Sequence, residues 1–316
     1  MTLRMFRAAA VGTGTVVHDP CTGLTHWSGL ERLDLGRALL DDALVAGWPV
    51  ARPRELRRAR PVSICWSPIV RCNLACPHCL DDKSVREGNR ERRRHVADRI
   101  ADADVLGVDI SGGEPLLLPD LTTLTDRLIL GGCAVSVTSN GWHLAQRAAE
   151  LTGHLDAVRV SLDGPDAARH DRLRGAGSFD RAMAGLHACA ALHIPTQIQT
   201  VLMRSSRQGA QQLVDLASAE QVFGLTFLQM LPIGEARDLP ADECLSDAEA
   251  ARLIANLDIP ADLHIRLRRR DAADGFTVIR ADGALWRNTD GAQAISRRRT
   301  LRDPADLVLE GQDGSA

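Results

Sequence analysis

The sequence predicts an α/β fold: an open, partial (β/α)6 barrel with short α+β extensions at both ends. Three observations carry this. First, six short apolar runs, at 62–66, 105–110, 134–138, 157–162, 196–202 and 225–230, alternate with helical stretches at 91–103, 121–130, 144–151, 179–192 and 209–220. Such alternation winds a parallel sheet with right-handed crossovers. Second, six units are fewer than the eight that close a barrel, so the sheet stays open. Third, glycine-rich and polar motifs follow several of the runs. These are the C-terminal strand ends, where folds of this class gather their sites.

Composition narrows the function classes. Of 316 residues, 45% are hydrophobic and 25% charged, which excludes a disordered chain and a small disulfide scaffold. A net charge of -3 gives no whole-chain basicity for nucleic acid. The first twenty residues lack the apolar core of a signal peptide, and no apolar run reaches membrane-spanning length, so a cytoplasmic protein is expected. Tyrosine is absent, so a catalytic acid or base must be another residue type.

Three zones divide the chain, at 1–60, 61–235 and 236–316. In the first, 15–18 and 24–27 form a hairpin over Asp19-Pro20-Cys21-Thr22-Gly23, and a helical pattern runs through 33–44. The arginines at 52, 54, 57, 58 and 60 read as a solvated connector. In the third, a helix spans 246–257 with Ser246 as N-cap and Glu249 at the third helical position. A strand pair at 263–267 and 277–280 follows, with a turn at Ala281-Asp282-Gly283, and 311–316 frays.

The sharpest chemical signal is Arg71-Cys72-Asn73-Leu74-Ala75-Cys76-Pro77-His78-Cys79, directly after the first barrel strand. Three thiolates on one short loop can hold three corners of a cubane iron–sulfur cluster and leave one iron open to a ligand. The alternative is a zinc site with His78 as fourth ligand, although His78 adjoins Cys79 and closes a tetrahedron awkwardly. Ser111-Gly112-Gly113-Glu114-Pro115 follows the second strand. It is either a plain strand-to-helix turn or a loop whose backbone approaches a ligand, with Glu114 as acceptor for an ammonium group. The remaining cysteines, at 21, 65, 133, 189 and 244, read as scattered small hydrophobes, Cys65 and Cys133 in the core.

Together these motifs resemble the radical S-adenosylmethionine (SAM) superfamily. The resemblance spans about residues 61–240. It continues in register through Thr138-Ser139-Asn140-Gly141, Val160-Ser161-Leu162-Asp163-Gly164, His170-Asp171-Arg172-Leu173-Arg174-Gly175 and Gly177-Ser178-Phe179. It implies one [4Fe-4S] cluster on Cys72, Cys76 and Cys79, whose fourth iron chelates SAM. It further implies that Gly112, Gly113 and Glu114 hold the SAM amino group, that Ser161 contacts its ribose, and that Arg174 approaches its carboxylate. Asn140 is a further SAM contact by the same resemblance. A reduced cluster, charged by an external one-electron donor such as flavodoxin or ferredoxin, would cleave SAM to a 5'-deoxyadenosyl radical that abstracts a hydrogen atom.

Leu231-Pro232-Ile233-Gly234-Glu235-Ala236 and the stretch from Thr277 to Trp286 resemble the lead-in and start of the SPASM extension of relatives. No cysteine follows Cys244, so a remnant without auxiliary clusters is expected. The expected substrate is a small sugar- or nucleoside-type metabolite of antibiotic biosynthesis, decarboxylated or cleaved by a lyase; Trp66-Ser67-Pro68 and Leu80-Asp81-Asp82 resemble the cytosylglucuronate decarboxylase type. The alternative is a precursor peptide, modified by a maturase or epimerase; a non-enzymatic iron–sulfur/SAM binding module is the third reading. Residues 1–60 are short for a leader-binding winged helix. In an epimerase, Cys244 is the candidate hydrogen donor; otherwise it is a packed loop cysteine. The arginine runs at 266, 268–270 and 297–299 read as solvated faces. An arginine at the barrel mouth would suit a substrate carboxylate or phosphate.

Overall fold

The computed structural model describes residues 2–52, 55–56, 58–81, 83–269, 277–287 and 299–308. Apolar residues at alternate positions make Leu3–Val11 a strand (β1), which turns back into Gly14–His18 (β2) and then Thr25–Trp27 (β3). The expected hairpin over the 19–23 turn forms with Val17 opposite His26. The 33–44 stretch, expected to be helical, is instead the strand Gly36–Asp41 (β4), antiparallel to β1, and only Asp42–Ala46 (α1) coils. Tertiary contacts override the helical spacing: Arg37 forks onto Asp156 at 2.6 and 2.7 Å, which fixes the strand against the barrel. The resulting sheet has the order β3-β2-β1-β4.

The six expected barrel strands form: Ser63–Trp66 (β5), Gly107–Ile110 (β6), Ala134–Ser139 (β7), Ala157–Ser161 (β8), Thr196–Leu202 (β9) and Gly224–Gln229 (β10). They pair in parallel in chain order. The helices Arg90–Ala101 (α2), Leu121–Leu130 (α3), Leu144–Leu151 (α4), Ala167–Arg174 (α5), Ser178–Ala191 (α6) and Ala210–Ala219 (α7) supply the crossovers. Asp247–Ala255 (α8) starts at the expected Ser246–Glu249 capping box.

The C-terminal strands differ from expectation. His264–Arg268 (β11) pairs in parallel with β10, while Thr277–Ile279 (β12) pairs in parallel with β5. They lie at opposite ends of the barrel strands and do not pair with each other. The turn at 281–283 joins β12 to Ala284–Arg287 (β13), and Arg299–Thr300 (β14) follows. One ten-stranded sheet results, in which β13 runs against the other nine strands. The described strands of the 236–316 region therefore extend the barrel sheet. The reason is packing: Ile265 and Leu267 join the apolar core on the helix side, as a barrel strand's residues do.

Alternation along the strands defines an interior. On β5, Ile64 and Trp66 are buried in the helix-side core and Cys65 between them is partly accessible. The same holds for Asp109 between Val108 and Ile110, and for Ser161 between Val160 and Leu162. Outward residues seal the helix layer; inward residues line an accessible lumen. The N-terminal sheet closes one end of it. His18 sits so close over Gly107, the first residue of β6, that a Cβ there would be 2.2 Å from its Nε2. Arg159 donates to the Pro20 carbonyl at 2.8 Å, and Arg266 to that of Gly23 at 2.9 Å. The C-terminal ends of the strands remain for the site. No described helix is long and apolar enough to cross a membrane.

Candidate active site at the open end of the barrel

The cysteine loop runs from β5 across the open end and is tied down at several points. Glu87 accepts from the Val70 and Arg71 amides at 2.9 and 2.7 Å, and Arg71 Nε returns to it at 3.1 Å. Gly113 N donates to the Ile69 carbonyl at 2.8 Å and Glu114 N to that of Arg71 at 2.9 Å. A Cβ at Gly113 would stand 2.1 Å from the Arg71 oxygen, so only glycine lets the two loops lie this close. On the far side, Gly234, at φ 62°, lets Glu235 N reach the Cys79 carbonyl at 2.8 Å. The Leu231–Ala236 stretch thus clasps the end of the cysteine loop.

Glu114 is fully buried. Its carboxylate accepts from Ser139 Oγ at 2.9 Å, Leu116 N at 2.9 Å and Asn140 N at 2.8 Å. Burial pushes this carboxyl up, and the two amides and the hydroxyl pull against it. Three acceptor positions are used by the chain itself, leaving about one for a ligand ammonium. Asn140 extends the link: its Nδ2 donates to Asn73 at 2.9 Å and lies 3.7 Å from Cys72 Sγ.

The second half of the site is centred on Asp163. Its side chain is wholly buried and lies 3.0 Å from His78 Nε2. It accepts from Val201 N at 2.7 Å and from Arg174 Nε. Burial opposes ionisation of Asp163, but the Arg174 charge and the His78 contact outweigh it and hold the carboxyl well below the usual range. His170 Nδ1 accepts from Asp163 N at 3.0 Å; burial and Arg174 lower its pKa to about 4, so it is neutral at pH 7. Cys76 is pushed up to about 11 by burial, with Arg174 opposing the rise.

The radical SAM superfamily model matches residues 66–217. Those residues form a radical SAM domain. Mycofactocin maturase MftC of Mycobacterium tuberculosis (strain CDC 1551 / Oshkosh) is 32% identical over 191 residues, 58% of this chain and 48% of that protein. The AdoMet-dependent heme synthase of Methanosarcina barkeri (strain Fusaro / DSM 804) is 27% identical over 228 residues, 70% of this chain and 64% of that one. The chain thus spans about half to two thirds of these curated relatives. Streptococcus suis SuiB, crystallised with precursor peptide SuiA, shares the fold with a TM-score of 0.64 at 14% identity, over 80% of this chain and 66% of that one.

Radical SAM proteins use a [4Fe-4S] cluster and SAM, and the residues here fit both. The donor set is three thiols on one loop. A cubane takes one thiolate per iron, so three sulfurs on one short loop suit it. His78, the alternative zinc ligand, is turned onto Asp163. The fold therefore brings together Cys72, Cys76, Cys79, Gly112, Gly113, Glu114, Asn140 and Arg174. Ser161 lies at the end of β8, facing the lumen beside Gln199. Arg174, expected at the SAM carboxylate, is held on Asp163. Cys244 packs among Val201, Met203, Met230 and Leu173, on the β9–β10 side.

Asp163 and Glu87 are the positions that sequence reasoning left without a role. Asp163 stands in a quoted motif and its type alone marks it as a partner for a buried cation; Glu87 carries no motif signal. Cys65, expected in the core, packs against the buried cluster of Leu231, Ile233, Val278 and Trp286, and on the lumen side of β5 its Sγ lies 2.8 Å from Ser111 Oγ. Arg266 and Arg268, expected on a solvated face, also face the lumen, since Ile265 and Leu267 take the helix side.

Proposed function

We propose that this chain is a radical SAM enzyme acting on a peptide, with Cys72, Cys76 and Cys79 holding one [4Fe-4S] cluster and Gly112, Gly113, Glu114, Asn140 and Ser161 forming the SAM site. One observation carries the reading: an accessible polar lumen opens below a tied-down three-cysteine loop. The bound cofactors supply one-electron chemistry able to take a hydrogen atom from an unactivated C–H bond. The chain supplies the rest. Gly113 and Gly234 hold the cysteine loop from both sides, Asp163 fixes His78 and Arg174, and the helix layer keeps water from the lumen walls.

Two features support a peptide over the small sugar or nucleoside expected from sequence. SuiB was crystallised with a precursor peptide, and another structural neighbour, anSMEcpe, with a bound peptide. Among the described residues β4 pairs on one side only, with Leu39 62% and Leu35 59% exposed beside it. An unpaired strand edge of this kind accepts an extended peptide by main-chain pairing. The test is reductive SAM cleavage by the reconstituted protein, followed by mass spectrometry of candidate peptides encoded beside the gene. A mass change in a peptide, dependent on SAM and on Cys76, supports the reading. Turnover of a sugar or nucleoside with no peptide altered overturns the substrate class, and absence of 5'-deoxyadenosine overturns the enzyme reading.

A further inference from the structure

We propose that Asn140 is a positioning residue for the iron–sulfur cluster: its side-chain N–H, held on the Cys72 sulfur, raises the reduction potential of the cluster. The inference rests on the cluster assignment made above. Asn140 is the first residue after β7, where the strand end meets the cysteine loop, and it is 6% exposed. The chain itself engages all of its side-chain polar atoms. Oδ1 accepts from Trp142 N at 2.9 Å, which fixes the end of the amide that is oxygen. Nδ2 therefore faces the loop. It carries two hydrogens and has two acceptors, Asn73 Oδ1 at 2.9 Å and Cys72 Sγ at 3.7 Å. Asn140 keeps its place in the SAM site through its backbone, whose N donates to Glu114 Oε2 at 2.8 Å.

The strand end is built to aim this amide. Ser139 Oγ donates to Glu114 Oε1 at 2.9 Å and accepts from Gly141 N at 3.0 Å. Gly141, at φ 82°, turns the chain against α6, where a Cβ would stand 2.6 Å from the Ala182 Cα. The amide is therefore carried by backbone that the cysteine loop does not supply. Cys72 Sγ also accepts from Leu74 N at 3.4 Å. That bond is a backbone one and persists in any variant, whereas the Asn140 bond depends on the side chain chosen at that position. Reduction of a cluster adds negative charge that its sulfurs share, and an N–H dipole aimed at one sulfur stabilises that charge. Burial keeps water from screening the dipole, so its effect is larger than at a surface. Through Asn140, the acceptor proposed for the SAM ammonium and the sulfur of Cys72 hang on one residue.

The test is a redox titration of the reconstituted, SAM-free protein, followed by electron paramagnetic resonance of the reduced cluster. Asn140→Ser keeps an acceptor for Trp142 N but is too short to reach Cys72. Asn140→Leu keeps the volume and has no donor. Each should move the equilibrium about ten-fold toward the oxidised cluster, as loss of one hydrogen bond to a charged group does. For one electron that is a midpoint lower by about 59 mV. Asn73→Ala is the control for a loosened loop, since it removes the other acceptor and leaves the Cys72 bond; its midpoint should stay at the wild-type value. An unchanged midpoint in the Asn140 variants, loss of the cluster from both, or an equal fall in Asn73→Ala overturns the inference and leaves the cluster assignment standing. A wild type that takes up no [4Fe-4S] cluster overturns the assignment and the inference together. The expected shift beside a wild type that makes no 5'-deoxyadenosine sinks the enzyme reading alone.

Discussion

At the closed end of the barrel, Arg4 is held by Asp19 at 2.9 Å and by Asp42, with its guanidinium stacked 4.7 Å from the Phe6 ring and 4.4 Å from that of Phe223. Asp19 also accepts from Thr22 Oγ1 at 2.7 Å and Cys21 N at 2.8 Å, so its carboxylate is fully used. At the open end His78 and His170 are as deeply buried, the loop cysteines less so, and the groups are less completely paired. His78 Nδ1 and His170 Nε2 have no hydrogen-bond partner, and the three loop thiols are raised by burial without a cation bonded to them. Buried polar groups cost free energy unless bonded, so the closed end contributes stability and the open end holds groups in reserve for ligands. The two ends use the same residue types. What separates them is whether the chain alone completes the hydrogen bonds.

The largest expected effect falls at the open end. Cys72→Ala, Cys76→Ala or Cys79→Ala should each abolish the visible absorbance of the reconstituted cluster, because a cubane held at three corners does not survive the loss of one. Iron near eight per chain, where one cluster gives roughly four, would show a second cluster. Next come the two buried arginines. Arg174→Ala leaves Asp163 without its strongest partner, and Arg4→Ala does the same to Asp19; breaking such a pair costs ~3–5 kcal/mol in chemical denaturation. The losses should be similar, yet only Arg174→Ala should weaken SAM binding. Equal SAM affinity in the two variants would erase the distinction between the ends.

Acid stability separates them further. Burial lowers His18 to about 3, and burial with Arg174 lowers His170 to about 4. Both lie below the ordinary histidine value of about 6.5, so the unfolded chain binds protons that the folded chain refuses. Stability from each is fully present above that value and is lost as the pH falls toward the folded-state pKa. His18→Gln should flatten the acid limb of stability down to about pH 3, and His170→Gln only to about pH 4, as followed by urea midpoints. An unchanged limb in His18→Gln would mean that His18 titrates as it does in water.

Most of the barrel was legible because its strands bury β-branched residues on the helix side at every second position, as in Val135 and Val137 or Val158 and Val160. The cysteine and glycine loops were legible because their spacing is local. The rest depends on partners distant in sequence. Whether 33–44 coils or extends depends on Arg37 meeting Asp156. Whether β11 and β12 pair with each other depends on which barrel edge each reaches. The inward turn of Arg266 and Arg268 follows from Ile265 and Leu267 finding the core. An Arg-x-Arg run reads as solvated until the strand's apolar alternates are known to be buried.

The smallest effect is expected at Cys244. Its side chain packs among Met203, Met230, Leu239 and Leu173, and its backbone caps the turn Ala241–Glu243. Removing a partly buried sulfur from such a cluster costs on the order of 1 kcal/mol. Cys244→Ala should therefore unfold slightly earlier and leave cluster content and SAM binding intact. Cys65 also packs against an apolar cluster, that of Leu231, Ile233, Val278 and Trp286, but its Sγ lies 2.8 Å from Ser111 Oγ on the lumen side of the sheet. A hydrogen donor must reach the substrate carbon from the side opposite the group that abstracts the hydrogen, so apolar packing among methionines argues against Cys244 in that role. Product analysis in deuterated solvent decides it. If the wild type incorporates solvent deuterium at an inverted carbon and Cys244→Ala yields a shunt product, Cys244 is the donor and its packing opens during turnover. If the variant product matches the wild type, its part is confined to the β9–β10 cluster.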